Sequence, residues 1–457
     1  MNNNPSFPHD DNILARFFGR SSNYTDIPNQ LFKEHNVKKG LRNEDGTGVR
    51  VGLTKVCDVI GYTKDEEGNV IPCEGDLIYR GYSIRELLKN RQHNCGYEET
   101  VFLLLFGYLP DRTEFANFRK SLSDRYDLPA DFLTNDILRN PSRNLMNKLQ
   151  SCTISLYNYA PDPDAQDTYQ TLLKGLDLVA KFPSIGCYSY FAKMHHFYRQ
   201  SLIIHYPRPE YSIAENILYM LRTDGKFTDQ EASVLDALLL IHAEHGGGNN
   251  SAFACRVLTS SGTDPYSAYA AAIGALKGFR HGGANIKVVE QLDNFKAKIK
   301  NPENDGEVAD FIRKVLRKEE GDGAGLIYGM GHAVYTLSDP RAVLLKERGF
   351  ALAKGKDIEA DFRLLDTIER LTPALVAEKS ARAAQKHVCA NVDLYSGLVY
   401  RMLGIPAELL TPMFAVSRIA GWSAHRIEEV LTGGRIIRPA YKSVAKAVPY
   451  VPLAERE

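Results

Sequence analysis

Residues 228–253 read TDQEASVLDALLLIHAEHGGGNNSAF, and the helix they announce is the sharpest local signal in the chain. Thr228 and Glu231 stand in the T-x-x-E spacing of a capping box, in which a hydroxyl and a carboxylate each satisfy a backbone N–H left open at a helix start. Val234, Leu235, Leu238 and Leu239 then supply one apolar face at helical spacing, and the helix runs on into His242 and His245. Downstream, Asp264 and Pro265 form an N-cap and first-turn pair. They open a second helix that carries Ala272, Ile273 and Leu276 and stops by Gly278. A third helix, with Val288, Val289, Leu292, Phe295 and Ile299, starts just after Asn285. His281 therefore falls in a tight glycine-rich connection between two helices, where backbone N–H groups are open and a side chain can face a cleft.

Upstream the helical period dominates from Ile84 onward, in segments such as YEETVFLLLFGYLP (97–110) and DLVAKFPSIGCYSYFAK (177–193) that proline and glycine punctuate. Between Val51 and Tyr82 the pattern changes. The short apolar runs VGLTKV, NVIP and DLIYRGY flank the turn-forming DEEGN, which predicts a small β-hairpin and the one appreciable sheet. The fold class is mainly α with a small N-terminal hairpin element. No repeat or low-complexity tract stands out, and 457 residues at roughly 100–200 per domain suggest two or three domains.

Hydrophobic residues make up 44% and charged residues 25%, ordinary usage for a folded soluble protein. Lys plus Arg and Asp plus Glu both number 56, so no general field draws nucleic acid or an anionic membrane. An anionic substrate must then be held by locally placed cations. The seven cysteines are scattered and never form a CxxC pair, which argues against a disulfide framework or a zinc ribbon and for a reducing compartment. The N-terminal residues MNNNPSFPHDDNILARFFGR lack a basic segment followed by an apolar stretch and carry acidic residues, so they read as a mature, cytoplasmic N-terminus. Apolar runs such as Val101–Phe106 and Leu238–Ile241 fall far short of the about 20 residues of a membrane span.

Four segments carry candidate chemistry. HAEHGGGNNSAF (242–253) has glycines but not the Lys-Ser/Thr ending of a phosphate-binding loop, and its histidines are three residues apart where zinc-binding HExxH places them four apart. GFRHGGANIKVV holds His281, and GMGHAVYTLSDPRA holds His332 and Arg341; each sets a histidine beside glycine, where a ligand can approach the backbone. NVDLYSG places Asp393 at a helix start, where the ordinary role of a carboxylate is to cap the helix.

Taken together, the segments follow a known order. From about Asp76 to Tyr441 the chain resembles citrate synthases of the bacterial type, in GDLIYRGYSIREL, LLLFGYLP, HAEHGGGNNSAF, IGALKG and HGGAN, GMGHAVY and DPRA, NVDLYSG, FAVSRIAGW and RIIRPAY. The resemblance implies a two-domain helical homodimer. Its large domain would comprise residues 1–282 and 404–457, the latter reaching the partner subunit, and its small domain residues 283–403. It implies condensation of acetyl-CoA with oxaloacetate, with Asp393 as base toward the acetyl methyl group, His281 as donor to the thioester oxygen, and His332 acting on the ketone oxygen. Arg341, Arg418 and Arg438 match the family's carboxylate-binding arginines, Arg438 entering the partner's site, and His245 matches the histidine that bonds the same substrate. Gly329, Met330 and Gly331 match the loop that contacts the CoA adenine, and no metal or other cofactor is implied.

The chain departs from the family in several places. Ala333 and Thr336 stand where many relatives have a basic residue, Arg280 stands in GFRHGG where relatives often have GPLHGG, and the N-terminal extension of NADH-regulated members is not recognisable. Arg435 does not match a ligand position and reads as a surface charge. Four other readings stand beside the first: a 2-methylcitrate synthase using propionyl-CoA, a citryl-CoA lyase with the same core, and, from other classes, a zinc-dependent hydrolase built on HAEH and a non-enzymatic helical scaffold in which the histidines and aspartate are relics. One methylene in an apolar pocket is worth only about 1–3 kcal/mol, so the first of these differs little in what it requires of the chain.

Overall fold

The computed structural model describes residues 14–19, 26–43, 46–91, 94–165, 167–278, 281–379 and 387–456. The chain divides into two compact units, Met1–Leu53 and Thr54–Glu457. In the first, a short helix Asn29–Glu34 and a 3-10 turn Lys39–Leu41 lead to an antiparallel bridge between Arg42 and Gly48.

The second unit opens with an antiparallel sheet of three strands in sequence order: β1 (Cys57–Lys64), β2 (Val70–Tyr79) and β3 (Tyr82–Ser83). DEEGN closes its hairpin: Asp65 accepts the backbone N–H of Asn69 at 2.7 Å and its side-chain N–H at 2.9 Å. VGLTKV adds no strand to it: the ladder ends at Cys57 with Tyr79, and one further bond, from the Arg80 N–H to the Val56 carbonyl at 3.0 Å, precedes the turn at Arg80 and Gly81.

Helices follow: α1 (Ile84–Asn90), α2 (Gly96–Phe106), α3 (Arg112–Ser123), α4 (Leu145–Ser155), α5 (Thr168–Tyr198), α6 (Ile213–Leu221), α7 (Asp229–His242), α8 (Asn250–Ser260) and α9 (Pro265–Lys277). Then come α10 (Ala284–Lys298), α11 (Asp305–Leu316), α12 (Pro340–Ala353), α13 (Glu359–Ala377), α14 (Asp393–Met402) and α15 (Leu410–Thr432). The capping box forms, with the Thr228 hydroxyl accepting the Glu231 N–H and the Glu231 carboxylate accepting the Thr228 N–H at 2.8 Å. Asp264 caps α9 as expected, and α10 starts at Ala284, slightly earlier than the apolar pattern suggests.

Proline punctuation misleads at Pro183, since α5 runs unbroken for 31 residues through it, as α13 runs through Pro373. An interior proline costs a helix about 3 kcal/mol, and in α5 long flanks, buried against α4, α6 and α15, hold the helix together across it. At the centre lies α15, buried at every residue from Leu410 to Ile427 and packed against α2, α5, α7, α8 and α9. A second group of helices packs α10 on α14, α14 on α12 and α13, and α11 on α13, with α12 also touching α7 and β2. No described helix is long and apolar enough to cross a membrane.

Candidate active site

Three stretches of backbone converge, each held by bonds to residues distant in sequence. The first is the end of α7. The Tyr79 hydroxyl from β2 lies 3.0 to 3.3 Å from the Leu240, Ile241 and Glu244 carbonyls and accepts the Glu244 N–H at 3.2 Å. From the other side α15 satisfies helix-end carbonyls that lack intrahelical partners. Ser417 donates to the Leu239 carbonyl, Arg418 Nε to the His242 carbonyl at 2.6 Å, and the Gly421 N–H to the Ala243 carbonyl at 3.1 Å. His242 and His245 then part company. The His242 ring packs on Phe414, with centroids 4.5 Å apart, and Nδ1 donates to the Leu238 carbonyl at 2.9 Å, whereas the His245 ring meets His332 at 5.2 Å. Among the described residues no three His, Cys, Asp or Glu side chains are grouped to hold a metal, and the HAEH pair does not share a ligand position.

The second stretch is the loop 329–339. His332 Nδ1 accepts the backbone N–H groups of Val334 at 3.0 Å and Tyr335 at 3.1 Å, which puts the proton of the neutral ring on Nε2. The hairpin supports this loop from below. The Thr336 hydroxyl donates to the Gly61 carbonyl and accepts the Cys73 N–H at 3.2 Å, and Ser338 Oγ accepts the Gly75 N–H at 3.2 Å. A Cβ at Gly61 would lie 2.6 Å from Tyr335 Cα, and one at Gly75 would lie 2.7 Å from the Tyr335 ring, so glycine is required for the approach. At the loop's other end the Gly331 N–H donates to the Cys389 carbonyl at 2.7 Å, the Asn391 N–H to the Gly329 carbonyl at 2.8 Å, and Asn391 Nδ2 to the Gly331 carbonyl at 2.8 Å. Gly329, Met330 and Gly331 are thereby tied to the third stretch, which leads into Asp393.

Asp393 opens α14 but does not cap it. Asn391 Oδ1 accepts the Asp393 N–H at 3.0 Å and takes the role that a lone helix-start carboxylate would have had. Burial pushes the Asp393 carboxyl up to about 6, with Arg341 pulling it down, Asp339 pushing it up and Arg418 pulling it down. Burial, then Arg418, holds His281 down to about 4. Burial, then Arg341, His332, Arg418 and His281, holds His245 well below the usual histidine range. His281, in its expected connection, sets Nε2 3.2 Å from Asn249 Oδ1 and 3.3 Å from Ser251 Oγ, and Ser251 Oγ accepts the Trp422 indole N–H at 3.1 Å.

The two buried arginines differ. Arg341 forks onto Asp339 through Nε at 3.0 Å and Nη2 at 2.7 Å, while Asp339 Oδ2 also accepts the Val392 N–H at 3.1 Å. Arg418 is 0% exposed, and among the described residues its Nη1 and Nη2 have no hydrogen-bond partner, the guanidinium carbon standing 4.7 Å from the Phe414 ring centroid. Leaving one member of a buried ion pair unmatched costs about 3–5 kcal/mol, and a carboxylate in the bidentate geometry of the guanidinium fork would offset it. Glu244, whose Oε1 accepts from His425 Nε2 at 2.8 Å, is the counter-charge that acts most strongly on Arg418.

His245, His281, His332, Arg341, Asp393 and Arg418 thus share one field, while Arg438 stands apart from it. Arg438 is exposed in the irregular tail 433–456, and the adjacent Ile437 N–H donates to Ser260 Oγ at 3.0 Å. Ser260 ends α8, about 14 Å along the helix from Ser251 beside His281. Arg280 lies outside the described residues, and the Thr336 hydroxyl is engaged by the hairpin. Tyr79, Asp339 and Tyr335 were not singled out from sequence; the last two lie inside the quoted GMGHAVYTLSDPRA, where neighbouring histidine and arginine drew the reading.

Relatives 30–33% identical to the chain are named citrate synthase or 2-methylcitrate synthase. The family described as citrate synthase, C-terminal domain, matches residues 45–440. A citrate synthase of Synechocystis sp. is 32% identical over 437 residues, 95% of this chain and 96% of its own. A citrate synthase of Pyrobaculum aerophilum superposes with a TM-score of 0.72 at 29% identity, covering 89% of this chain and 94% of the other. One of Thermoplasma acidophilum, solved as a ternary complex with carboxymethyl coenzyme A and oxaloacetate, superposes at 0.74 with 25% identity, covering 92% of this chain and 99% of the other. Together with the mainly helical fold and the order of its motifs, these matches show that the chain belongs to the citrate synthase family, a family of transferase enzymes.

Proposed function

We propose that this chain condenses acetyl-CoA with oxaloacetate and water to give citrate and CoA. The observation that carries the reading is Arg418: a fully buried guanidinium whose two Nη atoms lack hydrogen-bond partners among the described residues, in one field with Arg341, suits an acid with two carboxylates. The thioester methyl is a weak carbon acid, so it needs a base on one side and a hydrogen-bond donor to the thioester oxygen on the other. Asp393 accepts the methyl proton. The neutral His281, its ring held against Asn249 and Ser251, gives a hydrogen bond to the thioester oxygen. The enolate carbon attacks the ketone carbon, His332 protonates the alkoxide oxygen from Nε2, and water then cleaves citryl-CoA. Acids, bases and arginines fill each role, so the scheme calls for no metal or prosthetic group. Gly329, Met330 and Gly331 take the adenine end of CoA.

The test is release of CoA thiol. It should require oxaloacetate, survive exhaustive EDTA, and show a higher kcat/KM with acetyl-CoA than with propionyl-CoA. Preference for propionyl-CoA would move the chain to the 2-methylcitrate synthases, and activity lost to EDTA but restored by zinc would overturn the scheme.

The reading includes closure of a small domain, 283–403, over a large one formed by 1–282 and 404–457, since His245 and Arg418 fall in one and His332 and Asp393 in the other. Oxaloacetate is then expected to slow hydrogen exchange at the junctions near residues 280 and 404. Equal exchange with and without it would count against closure. The reading also places the enzyme in the cytoplasm, in keeping with seven unpaired cysteines, and in a homodimer that completes each site with Arg438 of the second chain.

A further inference from the structure

We infer that Tyr335 is a positioning residue for the condensation, its hydroxyl orienting His245 toward the keto acid and its ring and backbone orienting His332; the inference rests on the function proposed above. Tyr335 is 2% exposed and meets three of the groups assigned to oxaloacetate. Its ring lies 4.5 Å from the His332 ring at an interplanar angle of 32°, and the Arg341 guanidinium carbon stands 5.8 Å from its centroid. Its hydroxyl is 3.3 Å from His245 Nε2, and its backbone N–H is one of the two that donate to His332 Nδ1. The ring itself is fixed, wedged over the Gly75 notch, with Cys389 Sγ 3.8 Å from the Tyr335 carbonyl.

Oxaloacetate offers only hydrogen-bond acceptors: two carboxylates and a ketone. A neutral imidazole beside it is useful only while it presents an N–H, and a ring at liberty to flip or change tautomer presents a lone pair as readily. The hydroxyl at Nε2 holds the His245 ring against flipping and, donating there, leaves the ring N–H on Nδ1 for the keto acid. For His332 the same end is reached by two backbone donors on Nδ1 and the tyrosine ring against its face, so Nε2–H is kept for the ketone. One side chain thus coordinates the histidine that binds the keto acid with the histidine that protonates it.

The two roles separate by substitution. Tyr335→Phe keeps the ring and deletes the hydroxyl, so KM for oxaloacetate and its calorimetric Kd should rise about fivefold to tenfold, the loss of one hydrogen bond, with kcat within about twofold. Tyr335→Leu also removes the ring, and kcat should fall about tenfold or more as His332 loses its alignment. In a His245→Ala background Tyr335→Phe should change oxaloacetate affinity by less than about twofold, because the hydroxyl then has nothing to orient. An unchanged affinity in Tyr335→Phe, or an equal loss with and without His245, would overturn the inference. Should the phenylalanine variant not fold, histidine nitrogen-15 spectra of the unaltered enzyme decide the point: one proton arrangement on His245 supports it and a mixture overturns it. If the unaltered enzyme released no thiol, the condensation reading would fall, while oxaloacetate calorimetry on the same variants would still report the link between Tyr335 and His245.

Discussion

Asp393→Asn is expected to lower kcat by about 10²–10⁴-fold, the range for loss of a positioned general base, while leaving oxaloacetate affinity within about twofold. The amide has the carboxylate's shape but cannot accept the methyl proton, and the base addresses acetyl-CoA rather than the keto acid. A pH dependence accompanies the change. Burial raises the Asp393 carboxyl to about 6, and only its ionised form is a base, so kcat/KM for acetyl-CoA should be level above that pH and fall about tenfold per unit below it. The residual activity of the asparagine variant should lack that acid limb. Steady-state rates across pH, with oxaloacetate binding measured separately, test both statements. If oxaloacetate affinity fell as far as turnover, Asp393 would be holding the fold instead of the proton.

What could be read from the chain and what could not divide along sequence distance. The starts of α7 and α9 depend on residues within three positions of one another, Thr228 with Glu231 and Asp264 with Ser267, so their signals are local. DEEGN is equally local: Asp65 bonds Asn69. Pro183 misleads because its cost is outweighed by partners from α4, α6 and α15, which no window around residue 183 contains. The same holds at the site. Its residues were legible through the order of several motifs; NVDLYSG alone offers Asp393 as a helix cap, whereas Asn391 accepts the Asp393 N–H. Support of the His332 loop by the hairpin joins residues 263 and 275 positions apart, and no periodicity announces a contact of that kind. Arg418 was legible as a carboxylate ligand by resemblance, and burial with two nitrogens that lack hydrogen-bond partners among the described residues supplies the physical reason.

Mixed dimers should recover activity that neither parent has. Arg438 is exposed in a tail whose apolar side chains are exposed too, Tyr441 at 93% and others at Val448, Tyr450 and Leu453, a surface suited to burial against a second chain. If Arg438 completes the partner's site, a dimer of one Asp393→Ala chain and one Arg438→Ala chain holds one site with both lesions and one with neither. The intact site takes Asp393 from the second chain and Arg438 from the first. Each parent homodimer carries one lesion in both sites and should be nearly inactive: the alanine at 393 removes the base, and losing the charged partner of a desolvated carboxylate costs about 2–5 kcal/mol, a factor of about 30 to several thousand. Refolding the two variants together and isolating the mixed dimer through distinct tags should therefore give about half the turnover of the unaltered dimer. Were Arg438 to act within its own chain, every site would keep one lesion and mixing would restore nothing. A mixed dimer of confirmed composition with no more activity than its parents would reject the shared site.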